Sequence, residues 1–350
     1  MNMDIQKKAI ALVAAMYVLK SHRRRHCVWV HPILRKRKEH SEFHWLVQEL
    51  RLNGVLFQQY FRLDVAQCDE LLSRVGPRIA RMNMSYREAI GATERLAICL
   101  QGVPAVLEFS KLPGIHRWKT CGHSGSPNSG SWFHNYKGTF SIVLLAVVDS
   151  EYLFRVVDVG GYGRNSDGGT LANSNFGRGL LNGTVDLPAD SIIPGSEHRG
   201  SFPYVLVGDE AFPLCRCLMR PYPGFNMPRE KRIFNYCLSH SRLTVECSFG
   251  ILSSQWRLYC RVIYMAPEKV ELCVKATCIL HNFTRVTTMR GRRRENTSHT
   301  PDMAAAALRP VGRMGSNNAP REAIKMREAI CEFFNQESAV PWQNHVLAIH

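Results

Sequence analysis

Thr139–Val148 reads TFSIVLLAVV, a nearly unbroken run of β-prone apolar residues. A strand covered on both faces reads this way, because polar alternation disappears once neither face meets water. Asp149-Ser150-Glu151 then makes a turn, and Tyr152–Val159 follows as a second strand. A glycine-rich loop, Gly160–Gly169, leads into a short helix ending near Leu181. Tyr204–Val207 is a third strand, stopped by Gly208-Asp209. The three strands are expected in one sheet. Downstream, Val245, Phe249, Leu252 and Trp256 form one helical stripe, with Ser239 or Ser241 as its N-cap. Pro267 suits the first turn of a further helix through Phe283, with Cys273, Ala276, Leu280 and Phe283 facing inward. Strands, a helix, a strand and then helices define an α/β fold whose sheet is covered by helices.

Outward from this core, residues 1–100 read as a helical, basic N-terminal region. Its apolar anchors are Leu46, Leu50, Val55, Phe57, Tyr60 and Phe61, and Asp64–Val75 repeats apolar residues at helical spacing. The α/β domain is placed at 115–284, a flexible linker at 285–322, and a short C-terminal helix and tail at 323–350, the helix covering roughly Arg321–Asn335. The chain has 350 residues, is 45% hydrophobic and carries a formal charge of +16. That composition excludes a disordered, collagenous or membrane chain and favours polyanionic partners. The apolar run Ala9–Leu19 covers 11 residues, against about 20 for a membrane span. The basic Ser21–His26 stands where a signal peptide would need small residues, so this run is read as a cytoplasmic or nuclear helix. Twelve cysteines with no C-x-x-C pair, most of them among apolar neighbours such as Cys99, Cys247, Cys273 and Cys278, indicate a reduced chain. Arg23–Arg25 and Arg35–Lys38 flank Trp29. They read either as a solvated helix face or as a nuclear-localisation or phosphate-contacting arm.

Two carboxylates sit unlike ordinary surface charges. Asp209 follows four apolar residues and a glycine, so it emerges at a strand's C-terminal end, where open α/β sheets bind ligands. Glu246 lies within the apolar helix stripe, where a carboxylate needs a cation. Arg242, one turn earlier, satisfies that need as an ion pair; a metal is the other solution. Asp167, in Arg164-Asn165-Ser166-Asp167-Gly168-Gly169, reads as a helix N-cap or as a third acidic ligand. Gly160-Gly161-Tyr162-Gly163 is an incomplete dinucleotide fingerprint, with no acidic residue ending a second strand about 20 residues later.

Asn135-Tyr136-Lys137-Gly138, Ser166-Asp167-Gly168-Gly169, Val207-Gly208-Asp209, Phe234-Asn235-Tyr236, Arg242–Glu246 with Phe249-Gly250-Ile251-Leu252, Trp256-Arg257 and Cys278-Ile279-Leu280-His281-Asn282-Phe283 occur in that order. Together this set resembles the PIF/Harbinger-type DDE transposases and their domesticated nuclease relatives, a DDE superfamily endonuclease group. The likeness covers about residues 125–284, with looser likeness in Trp29-Val30-His31-Pro32 and Phe61–Ile79. It implies a ribonuclease H-like mixed sheet flanked by helices, in which three acidic residues bind Mg²⁺ or Mn²⁺ for phosphodiester chemistry on DNA. Asp209 and Glu246 match catalytic carboxylates that also ligate metal, and Asp167 matches an additional metal ligand. Lys137, Arg23, Arg24, Arg25, Arg35, Lys36, Arg37 and Lys38 are the expected nucleic-acid contacts. DNA and a DNA-binding partner protein are the expected partners, with no membrane.

One departure stands out. The family's first aspartate belongs to an Asp-Gly-x-His stretch, which here aligns with Ile115-His116-Arg117-Trp118-Lys119-Thr120. No carboxylate lies between Glu108 and Asp149, and Arg117 takes the expected place. The preceding helix-turn-helix-like stretch of the family is also missing between Leu100 and Gly114. The expectation is therefore a metal-dependent DNA endonuclease of impaired catalysis; the alternative is a catalytically inactive DNA-binding or scaffold protein. The location expected is the nucleus, with the cytoplasm as a second compartment. A fluorescently tagged chain should concentrate in nuclei and lose that enrichment when both basic clusters are replaced by alanine. Nuclear enrichment that survives the replacement would assign import to a partner.

Overall fold

The computed structural model describes residues 43–83, 89–102, 118–120, 133, 141–162, 165–193, 195–224, 226–260, 263, 265–295 and 320–339. The expectations placed on Arg23–Arg25, Arg35–Lys38, Arg117 and Lys137 lie outside these residues. The chain divides into two compact units, Met1–Gln101 and Gly102–His350. No helix among the described residues is long and apolar enough to cross a membrane.

The first unit contains α1 (Gln48–Leu52), α2 (Gly54–Phe61), α3 (Val65–Ile79) and α4 (Ala92–Gly102). Asn53 caps α2 by accepting the Leu56 N–H at 3.1 Å. Asp64 caps α3 through a reciprocal capping box with Gln67, which satisfies two backbone donors at once. Leu50, Phe57, Phe61 and Leu63 are buried, whereas Val55, expected as an anchor, is 67% exposed. Arg51 grips both carboxylate oxygens of Asp69 at 2.7 Å.

The second unit is mixed α/β. Its main sheet has the order β1 (Trp118–Thr120), β2 (Ile142–Val148), β3 (Phe154–Tyr162), all antiparallel. Ile142–Leu145 are buried, as the apolar run requires. The β2–β3 turn is held by Asp149, whose Oδ1 accepts the N–H groups of Glu151 and Leu153 at 2.9 Å each. Tyr152 takes the left-handed conformation within it (φ 65°).

The third expected strand does not join this sheet. Only Leu206–Val207 is extended (β6), and it pairs in parallel with β7 (Leu218–Met219) in a separate sheet. Both edges of β2 are already taken by β1 and β3, and the N–H groups of Leu206 and Gly208 donate instead to Cys217 and Met219 carbonyls. A further ribbon pairs β4 (Ser191–Ile192) with β5 (Ser201–Phe202).

The helices of this unit are α5 (Asp167–Asn173), α6 (Asn175–Asn182), α7 (Arg229–Gln255), α8 (Pro267–Glu295) and α9 (Arg321–Asn335). Helix α7 starts at Pro228, well upstream of the expected caps. Ser239 and Ser241 lie inside it, and Ser241 bonds back to the Cys237 carbonyl. Pro228 and Glu230 explain the earlier start, since proline tolerates a helix's first positions and an acid in the first turn suits the macrodipole. Helix α8 runs past Phe283 to Glu295, into the stretch expected as linker. No proline interrupts Arg285–Glu295, and the sequence there is rich in arginine, a residue type that suits the C-terminal part of a helix. Helix α9 packs on α7: Ala323, Ile330 and Cys331 share a core with Phe202, Tyr222, Phe234 and Leu238. Arg199 fastens its end through Glu332 (2.9 Å), Gln336 (2.6 Å) and Glu337 (2.6 Å). Among the described cysteines Cys99 and Cys247 are exposed, against the apolar setting expected of them.

Phe154 is where sheet and helices meet. Its backbone N–H and carbonyl both pair with the Asn282 side-chain amide, at 2.9 and 2.8 Å. His281, fully buried, hydrogen-bonds the Tyr152 carbonyl through Nε2 at 2.8 Å, while its Nδ1 is buried without a hydrogen-bond partner among the described residues. Burial holds this imidazole below its usual pKa, helped by Arg285 and opposed by the Tyr152 carbonyl. The ring is therefore neutral with its proton on Nε2. Phe249 of α7 packs on the Phe154 ring from 5.4 Å. Replacing Asn282 by alanine strands two backbone groups, at about 1–3 kcal/mol each. Asn282→Ala should lower unfolding stability in urea by about 2 kcal/mol or more, while Ile279→Ala, at a 69% exposed site, should cost under about 0.5 kcal/mol. Equal losses would show that the amide is no clamp. A neutral buried histidine also predicts stability that is greatest above pH ~6.5 and declines as pH falls below it.

Candidate active site

Asp209 leaves β6 at its C-terminal end, as read from the sequence. Its Oδ1 accepts the Ala211 N–H at 3.0 Å and its carbonyl accepts the Phe212 N–H at 3.3 Å, forming a tight turn. The half-buried carboxyl is pushed above the usual aspartate range by desolvation, against the pull of the Ala211 N–H and the Arg242 charge. Arg242 belongs to α7, which packs on β6. The cation expected to serve Glu246 acts on Asp209. Glu246 lies one turn further along, half-buried, and residues four apart share a helix face. The apolar stripe behind it is confirmed by Phe249, Leu252 and Trp256, all buried.

Asp167 opens α5 but does not cap it. Ser166 is the N-cap, accepting the Gly169 N–H at 3.1 Å, so the reading of Asp167 as a cap is corrected. Its Oδ1 is buried. Gly168 brings this helix start against the Asp209 turn: a Cβ there would lie 2.8 Å from the Ala211 carbonyl oxygen. Only glycine permits that approach. Asp167 and Asp209 therefore stand on abutting segments, with α7 at the side of Asp209.

The donors suit a hard cation such as Mg²⁺ or Mn²⁺. Among the described residues, however, no three His, Cys, Asp or Glu side chains gather closely enough to hold an ion, and a guanidinium acts on Asp209. These residues do not fit a complete two-metal centre. A cation not among the residues expected from the sequence follows the neighbouring strand. Arg220 follows β7 as Asp209 follows β6, and its Nη1 donates to the Phe212 carbonyl at 3.3 Å. The signal was the same one that singled out Asp209, a charge directly after a short apolar strand.

Residues 122–282 match the family described as DDE superfamily endonuclease. Over 158 residues the chain is 31% identical to "Protein ALP1-like" of Arabidopsis thaliana, covering 45% of this chain and 38% of that relative. The matched stretch thus spans well under half of the relative's length. No solved structure matches. The resemblance to the DDE superfamily endonucleases is shown over 122–282, a stretch that includes Asp167, Asp209 and Glu246 and begins after Arg117.

A carboxyl whose pKa is raised on folding contributes stability at low pH and loses it as pH rises through the raised value. Asp209→Asn should therefore raise the melting temperature at neutral pH, with the gain shrinking as pH falls into the carboxylate range. A melting temperature that drops on this substitution at neutral pH would mean that Arg242 outweighs the burial.

Proposed function

We propose that this chain is a transposase-derived, divalent-metal-dependent DNA endonuclease whose ribonuclease H-like domain spans residues 115–284 and whose catalysis is impaired. The observation that carries this reading is the meeting of the Asp167 and Asp209 segments beside α7 inside the matched stretch. Asp209 and Glu246 are the catalytic carboxylates, and Asp167, Asp209 and Glu246 the oxygen ligands through which Mg²⁺ or Mn²⁺ binds weakly. The impairment is electrostatic. A ligand is missing where Arg117 stands, and positive charge at a metal site lowers cation affinity. DNA is the partner, gathered by the +16 charge of the chain, in the nucleus.

A second reading, an inactive DNA-binding or scaffold protein working with a DNA-binding partner, is favoured by the Arg242 charge at Asp209. Plasmid nicking in Mn²⁺ separates the two. The endonuclease reading expects slow nicking that Asp209→Ala abolishes and that Arg117→Asp accelerates by about 10-fold or more, equivalent to about 1.4 kcal/mol of barrier. DNA binding without any Asp209-dependent nicking, in the parent chain and in Arg117→Asp alike, would establish the second reading. Fast nicking by the unaltered chain would show that the missing aspartate is dispensable.

A further inference from the structure

Behind the Asp209 turn the structure gathers positive charge that, among the described residues, no carboxylate meets in an ion pair. Arg220 is 7% exposed; its Nη1 donates to the Phe212 carbonyl at 3.3 Å, and its Nε is buried with no hydrogen-bond partner among the described residues. Burial, and after it the like charge of Arg327 on α9, pull the Arg220 guanidinium below its usual pKa. Arg327 stacks over the Tyr222 ring at 4.0 Å, with its own Nε buried and without a partner. Lys231, exposed at the start of α7, lies over the same ring at 4.9 Å. Tyr222 is buried, and its hydroxyl is pushed up to about 12, first by burial and then by Cys331, so it stays a neutral donor. Glu328 also faces this ring and Glu230 adjoins Lys231, yet among the described residues neither forms an ion pair with any of the three cations.

Two guanidiniums that feel each other's charge, one of them buried, are unfavourable unless an anion or a π-face offsets them. Tyr222 supplies the π-face to Arg327 and Lys231. Nothing among the described residues supplies the anion. The topology places this cluster beside the acidic site: β6 and β7 are parallel, Val207 is in register with Met219, and Asp209 and Arg220 leave the same end of the pair. The Phe212 carbonyl that Arg220 holds belongs to the turn that positions Asp209.

We infer that Arg220, Arg327 and Lys231, gathered about Tyr222, form a phosphodiester-binding site that holds the DNA backbone beside the Asp209 carboxylate. The inference rests on the DNA-directed reading above and deepens it. Planar guanidiniums match the paired oxygens of a phosphodiester, and the exposed Lys231 marks the side from which the strand enters. Helix α9, outside the matched 122–282 stretch, thereby contributes a binding residue to the domain it packs on.

The test uses the full chain and a short fluorescein-labelled DNA duplex, with anisotropy followed across a range of KCl. Arg327→Gln should weaken binding several-fold and reduce the log–log salt slope by about one unit, as expected for one lost phosphate contact. Arg220→Gln should act alike. Should it fail to fold, the half-exposed Arg327→Gln carries the test alone. Lys325→Gln, an exposed cation on the same helix, controls for net charge and should leave the slope within about half of that change. Inorganic phosphate at constant ionic strength should raise the melting temperature of the parent chain more than that of Arg327→Gln. Slopes for Arg327→Gln equal to the parent, or a loss no greater than that of Lys325→Gln, would overturn the site while leaving the DNA reading standing. A parent chain that binds an acidic peptide but no duplex would sink the DNA reading and this site with it.

Discussion

The second unit depends on the joint at Phe154. One side-chain amide replaces a missing strand partner, taking both backbone groups of Phe154, and the next residue back on the same helix holds the Tyr152 carbonyl. Helix α8 is thus bonded to the sheet edge rather than merely packed on it. The Phe154 ring carries the constraint onward to Phe249 of α7. Because Arg242 and Glu246 lie within two turns of Phe249, the joint fixes the register at which α7 presents its charges. Asn235 repeats the device at the other end of α7, where its amide pairs with the N–H and carbonyl of Tyr222 at 2.7 and 2.9 Å. Two asparagines from the ordered motif set are therefore structural clamps, each satisfying buried backbone groups that would otherwise be costly.

Between these clamps the helix and the β6–β7 pair concentrate charges of both signs. Asp209 is desolvated and Arg242 is near it. Arg220 grips the turn that holds Asp209. Such an arrangement suits grasping a polyanion better than collecting divalent cations, since cations near a carboxylate compete with metal for it while attracting phosphate. On the proposed function, the consequence is binding retained and chemistry weakened.

Much of this was legible in the sequence where local pattern and burial agree. TFSIVLLAVV became β2 because a two-faced strand needs an unbroken apolar run, and Phe249, Leu252 and Trp256 are buried because their spacing is helical. Asp209 stands where a charge after a short strand must stand. The rest depended on partners far along the chain. Tyr204–Val207 looked like a third strand of the main sheet, but pairing is decided by which edge is open, which no local window records. Asn282 was read only as part of a motif, because its partner lies at Phe154. The start of α7 after Pro228 is signalled by proline followed by an acid, a weaker local mark than the serines further on. The Arg220–Tyr222–Arg327 cluster joins residues more than a hundred positions apart, and linker composition after Arg285 hid the fact that α9 returns to the core.

The central claim of the proposed function is that Asp167, Asp209 and Glu246 do not make a complete two-metal centre. Anomalous diffraction from crystals soaked in Mn²⁺ tests this most directly. At most one ion, touching Asp209, is predicted. Two ions about 3.5–4 Å apart, the spacing of a two-metal phosphodiester site, would contradict the account.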